Sequence, residues 1–190
     1  MSRIPSLDSF EDTNSFSDAV DKFVIDNSEK YEAAFSGFLM DYVKEDNVLK
    51  NFYIRFIYEC EIIKIVINKR NDMQLEELEM IIENMESAPT LEVLAVYDSL
   101  FHQKLFSIAE REDFFKWFRL QSKDLAHFLS GFWNAIGYKT DYYWELLKIH
   151  REIYNAVAQK DTDKALEMME RHFAILLFQL LGTMFSQKKE

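Results

Sequence analysis

The chain has 190 residues, 48% of them hydrophobic, and a formal charge of −11. This is enough apolar side chain for one substantial core, and too acidic a balance for an intrinsic phosphate-binding surface, which rests on clustered Lys and Arg. With 4 Gly and 2 Pro it lacks the punctuation that the turns of a sandwich or barrel require, so the composition indicates an all-α protein.

Residues 1–15, rich in Ser, Asp and Asn, read as an arm; "MSRIPSLDSFED" has no apolar signal core. Ser15 or Ser17 can cap a helix running to about Asn27, and a second near 29–45 places Tyr31, Ala34, Phe35, Phe38, Tyr42 and Val43 on one side. Residues 47–69, "NVLKNFYIRFIYECEIIKIVINK", are apolar on nearly every face, which predicts a central helix. Its Cys60 is the only cysteine, so no intrachain disulfide is possible. Asn71 with Gln74 has capping-box spacing ahead of a helix over about 73–87. Pro89-Thr90 then breaks the chain and restarts it as a helix on which Leu91, Leu94, Asp98, Phe101, His102, Leu105 and Ala109 share one face. A carboxylate and an imidazole one turn apart therefore point toward the core. A buried carboxylate without a partner is costly, so another part of the chain has to complete it.

A helix over about 112–135 opens with acidic residues that suit its N-terminal dipole and stops at Gly137 in "IGYKT". Two more, about 141–159 and 163–186, flank "KDTD", where Asp161 or Thr162 caps the last. The longest apolar run, residues 173–185, is broken by Gln179 and is short for a bilayer span. A cytoplasmic, non-membrane, antiparallel bundle of about seven or eight helices joined by short turns is expected, with no solenoid period.

His150 falls on the face Tyr143, Leu146, Leu147, His150, Ile153, Val157, and His172 on the face Ala165, Met168, Met169, His172, Ile175, Leu176. Asp98, His102, His150 and His172 thus sit on apolar faces of three helices, a donor set suited to Zn, Ni, Fe or Mn. An octahedral ion would leave two positions for water or a ligand carboxylate. The same spacing allows Asp98 simply to hydrogen-bond His102 within an ordinary core, and spacing alone does not separate the two. His127, in "DLAHFLS", has no comparable partner and reads as structural or surface.

The segments "DSLFH" (98–102) and "HREIYNAVAQKDTDKALEMMERH" (150–172) together resemble the signature of the FCD domain, the C-terminal effector-binding domain of GntR-type transcription regulators of the FadR subfamily. His150, Ile153, Ala156, Val157, Asp161, Ala165 and His172 match that signature in order, and Arg55 and Glu59 in "YIRFIYE" match an upstream Tyr/Arg/Glu segment; the resemblance covers about residues 48–185. It implies an antiparallel helical bundle around a central cavity and, in the metal-containing branch, a divalent ion held by one Asp and three His. These roles carry over to Asp98, His102, His150 and His172. It also implies a small carboxylate effector, for which Arg55 is the candidate second anchor, since guanidinium forks match carboxylates. An i,i+4 pair with Glu59 is the competing role of Arg55. Arg111 stands where the family often has Asn, and Lys160 where it has Gly before Asp161.

The division expected is an arm with extra helices over 1–47 and the FCD-like bundle over 48–186. In residues 1–47 acidic side chains well outnumber Lys and Arg, the only Gly is Gly37, and no recognition-helix segment is present. Direct nucleic-acid binding is therefore not expected of this chain. Two further readings stand beside the metal-dependent carboxylate sensor. One is a metal-dependent hydrolase or isomerase acting on a small organic acid, with Glu59 as the only inward acidic candidate for its base. The other is a structural or homodimerisation module using the aromatic segments "FFKWF" (114–118) and "FW" (132–133).

Overall fold

The computed structural model describes residues 4–5, 9–10, 12–28, 47–121 and 139–187. Among them the chain forms seven helices: α1 (Thr13–Ser28), α2 (Asn47–Lys69), α3 (Asp72–Glu86), α4 (Leu91–Ile108), α5 (Glu112–Gln121), α6 (Asp141–Gln159) and α7 (Thr162–Gln187). The all-round apolar sequence of α2 has the expected consequence. The helix is buried without a break from Phe52 to Ile63, and α1, α4, α6 and α7 pack around it, with α3 paired to α4 and α6 paired to α7.

The ends of these helices follow from their capping chemistry. The Asn71 side chain accepts the Gln74 N–H at 2.9 Å while the Gln74 side chain accepts the Asn71 N–H at 3.0 Å, which completes the capping box of α3. The Thr90 hydroxyl accepts from the Val93 N–H at α4 and that of Thr140 from the Tyr143 N–H at α6, and the Asp161 carboxylate accepts the Lys164 N–H at 3.0 Å to open α7. At the end of α6, Lys160 takes φ 60°. Its N–H reaches the Val157 carbonyl at 3.2 Å, and the Asp161 N–H reaches that of Ala156 at 2.9 Å. This is a Schellman turn, whose left-handed residue is ordinarily Gly. The Arg70 guanidinium closes the same end by donating to the carbonyls of Val157 at 2.9 Å and Ala158 at 2.6 Å. A bidentate pair of Arg151 on Glu86, at 2.9 and 2.7 Å, ties α6 to α3.

Helix α1 belongs to this core. Phe16, Val20 and Phe23 are buried, with Phe16 edge-on to Trp117 at 5.3 Å and Phe23 tilted on Tyr58 at 4.8 Å. Lys50 of α2 holds Asp21 of α1 at 2.9 Å. The segment "FFKWF" also turns inward and does not form a surface. Phe114, Phe115, Trp117 and Phe118 are all buried, and Phe114 stacks on Tyr58 with ring centroids 3.6 Å apart. The helix expected near 29–45, the second half of the one expected over 112–135 with its stop at Gly137, His127 and "FW" lie outside the described residues. Among the described residues no helix is long and apolar enough to cross a membrane.

Candidate metal centre

Three helices deliver the four candidate ligands to one place. Asp98 and His102 come from α4, where the four-residue spacing stacks them on one face, His150 comes from the middle of α6, and His172 from α7. One donor atom from each lies within 4.8 Å of every other. Around a six-coordinate ion with bonds of about 2.1 Å, neighbouring donors are about 3.0 Å and opposite donors about 4.2 Å apart, so these side chains are gathered close to the dimensions of a coordination shell. His102, His150 and His172 are fully buried, and their rings contact one another at centroid distances of 5.6 Å (His102–His150), 5.1 Å (His102–His172) and 4.6 Å (His150–His172). Asp98 differs from the expectation of full burial. Its side chain is 17% exposed, which makes it the most exposed of the four.

The hydrogen bonds around the rings decide which nitrogens face the centre. His102 Nδ1 lies 2.5 Å from Glu59 Oε2 and His150 Nδ1 lies 2.8 Å from the Leu146 carbonyl oxygen. An ionised carboxylate and a carbonyl can only accept, so each Nδ1 carries the proton, and in the neutral ring each Nε2 keeps a bare lone pair. Those two Nε2 atoms, and both ring nitrogens of His172, are buried without a hydrogen-bond partner among the described residues. His150 Nε2 is 3.1 Å and His102 Nε2 3.8 Å from the same oxygen, Asp98 Oδ1, the first within hydrogen-bond reach only when that nitrogen carries a proton. Lone pairs converging on a carboxylate oxygen repel unless a cation lies among them. Buried polar atoms without partners are rare in native proteins and call for such an explanation. The donor set therefore fits a divalent ion, with imidazoles oriented by a carboxylate and a backbone carbonyl as metal-binding histidines ordinarily are.

Electrostatics agree with that fit. Burial pushes the Asp98 carboxyl upward, but the His150 ring 3.1 Å away and the two other imidazoles outweigh it and hold the carboxyl well below the usual carboxylate range. Burial, with the His150 and His102 rings adding to it, holds His172 well below its ordinary value, so it stays neutral and available as a ligand at pH 7. Glu59, also buried, is kept ionised by Arg55 and His102 against its desolvation.

Arg55 stands one residue away from the cluster. Its Nε donates to Glu59 Oε1 at 2.6 Å, and its guanidinium lies 5.6 Å from the centre of the Phe173 ring. The i,i+4 pair read from the sequence is thus formed, and among the described residues the terminal nitrogens of the fork make no other hydrogen bond. The contact of Glu59 with His102 was not read from the sequence, because it joins residues 43 positions apart. Its only trace there is an acidic residue facing inward from an otherwise apolar helix. Both Glu59 oxygens are engaged, one by Arg55 and one by His102, so Glu59 is not the free general base that an enzymatic reading requires.

Residues 52–174 match the family profile of the FCD domain. No curated protein and no solved structure gave a match. The matched span holds Arg55, Glu59, Asp98, His102, His150 and His172.

Proposed function

The chain belongs to the FCD domain family, the effector-binding domain of GntR-type regulators, and on that premise we propose that it senses a small carboxylate through a divalent metal ion held by Asp98, His102, His150 and His172. The observation that carries this reading is the group of buried ring nitrogens without partners among the described residues, gathered with Asp98 to within 4.8 Å of one another between α4, α6 and α7. Zn, Ni, Mn or Fe suits three imidazoles and one carboxylate. When bound, the ion would supply positive charge and open coordination positions to an acid. Asp98, the most exposed of the four side chains, marks the side from which a ligand would enter. The terminal nitrogens of Arg55 would take the other end of the acid, with Nε kept on Glu59. Because the ligands come from three helices and Arg55 from a fourth, an acid that draws them together would alter the packing of α2, α4, α6 and α7, the differential contact a ligand-driven switch requires.

The reading places the protein in the cytoplasm and without direct DNA binding. The first 47 residues are predominantly acidic, and α1 spends its apolar face on the core, which supports a packing role for it and not a base-reading one. A metal-dependent enzyme is the weaker reading because Glu59 is doubly engaged. The test is calorimetric titration of the metal-loaded protein with a panel of two- to six-carbon mono- and dicarboxylic acids. Saturable binding of one acid, lost in His150→Ala and weakened at least tenfold in Arg55→Met, is expected. Equal binding with and without the metal would overturn the proposed role of the ion, and turnover of any acid would reverse the order of sensor and enzyme.

A further inference from the structure

The most connected polar group outside the ligand set is Glu59. It lies on the central helix, is 1% exposed and touches a candidate ligand and the candidate effector anchor at once, with Oε2 2.5 Å from His102 Nδ1 and Oε1 2.6 Å from Arg55 Nε. The other oriented imidazole, His150, is held by a backbone carbonyl, which no side-chain change can remove. His172 is held by nothing among the described residues. Among the described residues Glu59 is therefore the one side chain outside the ligand set that hydrogen-bonds a candidate histidine ligand.

We propose that Glu59 is the positioning residue of the metal centre, and that the chain Arg55–Glu59–His102 links effector to metal. This rests on the reading above. The carboxylate fixes His102 in the tautomer with its proton on Nδ1, so that Nε2 faces the ion, and it makes that nitrogen a stronger donor by accepting the proton's hydrogen bond. Arg55 holds Glu59 ionised in a buried place where a lone carboxylate would be costly. An acid that engages the terminal nitrogens of Arg55 alters its hold on Glu59, and with it the alignment of His102. By thermodynamic linkage, metal and acid affinities then change each other by the same factor.

The test compares the wild type, Glu59→Gln and Arg55→Met/Glu59→Gln. The double substitution removes both charges together and leaves no unpaired buried ion, which protects the fold if the single variant is unstable. Zn(II) affinity is measured by competition with a chromophoric chelator, and Co(II) absorption reports the ligand field. Both variants should bind Zn(II) 10- to 100-fold more weakly, and the Co(II) band should shift, while helical content is kept. Nitrogen-15 spectra of the metal-free wild type should show His102 protonated at Nδ1 and bare at Nε2. Zn(II) affinities within threefold of the wild type in both variants, or a His102 ring protonated only at Nε2, would overturn the role of Glu59 while leaving the sensor reading intact. A wild type that binds no metal would overturn that reading and the link built on it, and the nitrogen-15 spectrum would still decide whether Glu59 sets the tautomer.

Discussion

Replacing His172 with Leu should make the metal-free protein more stable and at the same time insensitive to metal. His172 is 1% exposed, and neither ring nitrogen has a hydrogen-bond partner. A buried polar group left unsatisfied costs about 1–3 kcal/mol. Leu has a similar volume, and an imperfect fit among Phe173, Met168 and the facing rings takes back up to about 1 kcal/mol. The net expectation is a gain of about 1–2 kcal/mol, or roughly 2–8 °C in melting temperature for a chain of this size. With the ion present the order reverses. At a free concentration one hundred times Kd, binding adds about 2.7 kcal/mol to the wild type, while His172→Leu, short of a ligand, gains little. The assay is a pair of thermal melts followed by circular dichroism, one in chelator and one in excess Zn(II). A variant that melts below the wild type in chelator would mean that His172 is well paired in the core, and the inference from its bare nitrogens would be wrong. Equal stabilisation of both proteins by the ion would contradict its role as a ligand.

Acid should destabilise the metal-free protein through the same residue. His172 is held well below its ordinary 6.5 by burial and the neighbouring rings, so below pH 6.5 the unfolded chain binds a proton that the folded one refuses. Stability contributed above that pH is lost as pH falls, by up to about 1.4 kcal/mol per pH unit; urea midpoints that rise between pH 7.5 and 5 would contradict this. Lys160→Gly should stabilise by about 1 kcal/mol, because the residue sits at φ 60°, where a side chain costs energy; denaturant unfolding with unchanged slope tests it, and a loss of stability would refute it. The Cys60 thiol is buried and pushed well above its usual value, first by burial and then by Glu170 and Glu59, so an aromatic disulfide reagent at pH 8 should label it only after unfolding. Rapid labelling of the native protein would show the centre of α2 to be open.

What could be read from the sequence was what local spacing encodes. The bounds of α2 and α6, the capping box at Asn71 and the cap at Asp161 depend on residues within a turn of one another. Asp98 with His102, His150 and His172 each stood out as a polar side chain on an apolar face, so the three faces were visible before their meeting was. What spacing cannot encode is the distance between helices. The Glu59–His102 contact and the Leu146 carbonyl behind His150 depend on how α2, α4 and α6 lie together. A helix apolar on every side, such as α2, gives no preferred direction from which to read its neighbours. The partial exposure of Asp98 was missed for a related reason, since a helical face shows that a residue points inward but not where the packing above it ends. The left-handed turn at Lys160 had only an indirect sign, the Lys standing where the family has Gly, because the Gly signal itself is absent.

The central claim, that Asp98, His102, His150 and His172 hold a metal ion, is tested most directly by plasma mass spectrometry of the purified, untagged protein beside a His150→Ala/His172→Ala control. The account predicts close to one divalent transition-metal ion per chain in the wild type and little in the control. Absence of metal from the wild type after incubation with Zn, Ni and Mn would contradict it and leave the four side chains as a buried polar cluster without an ion.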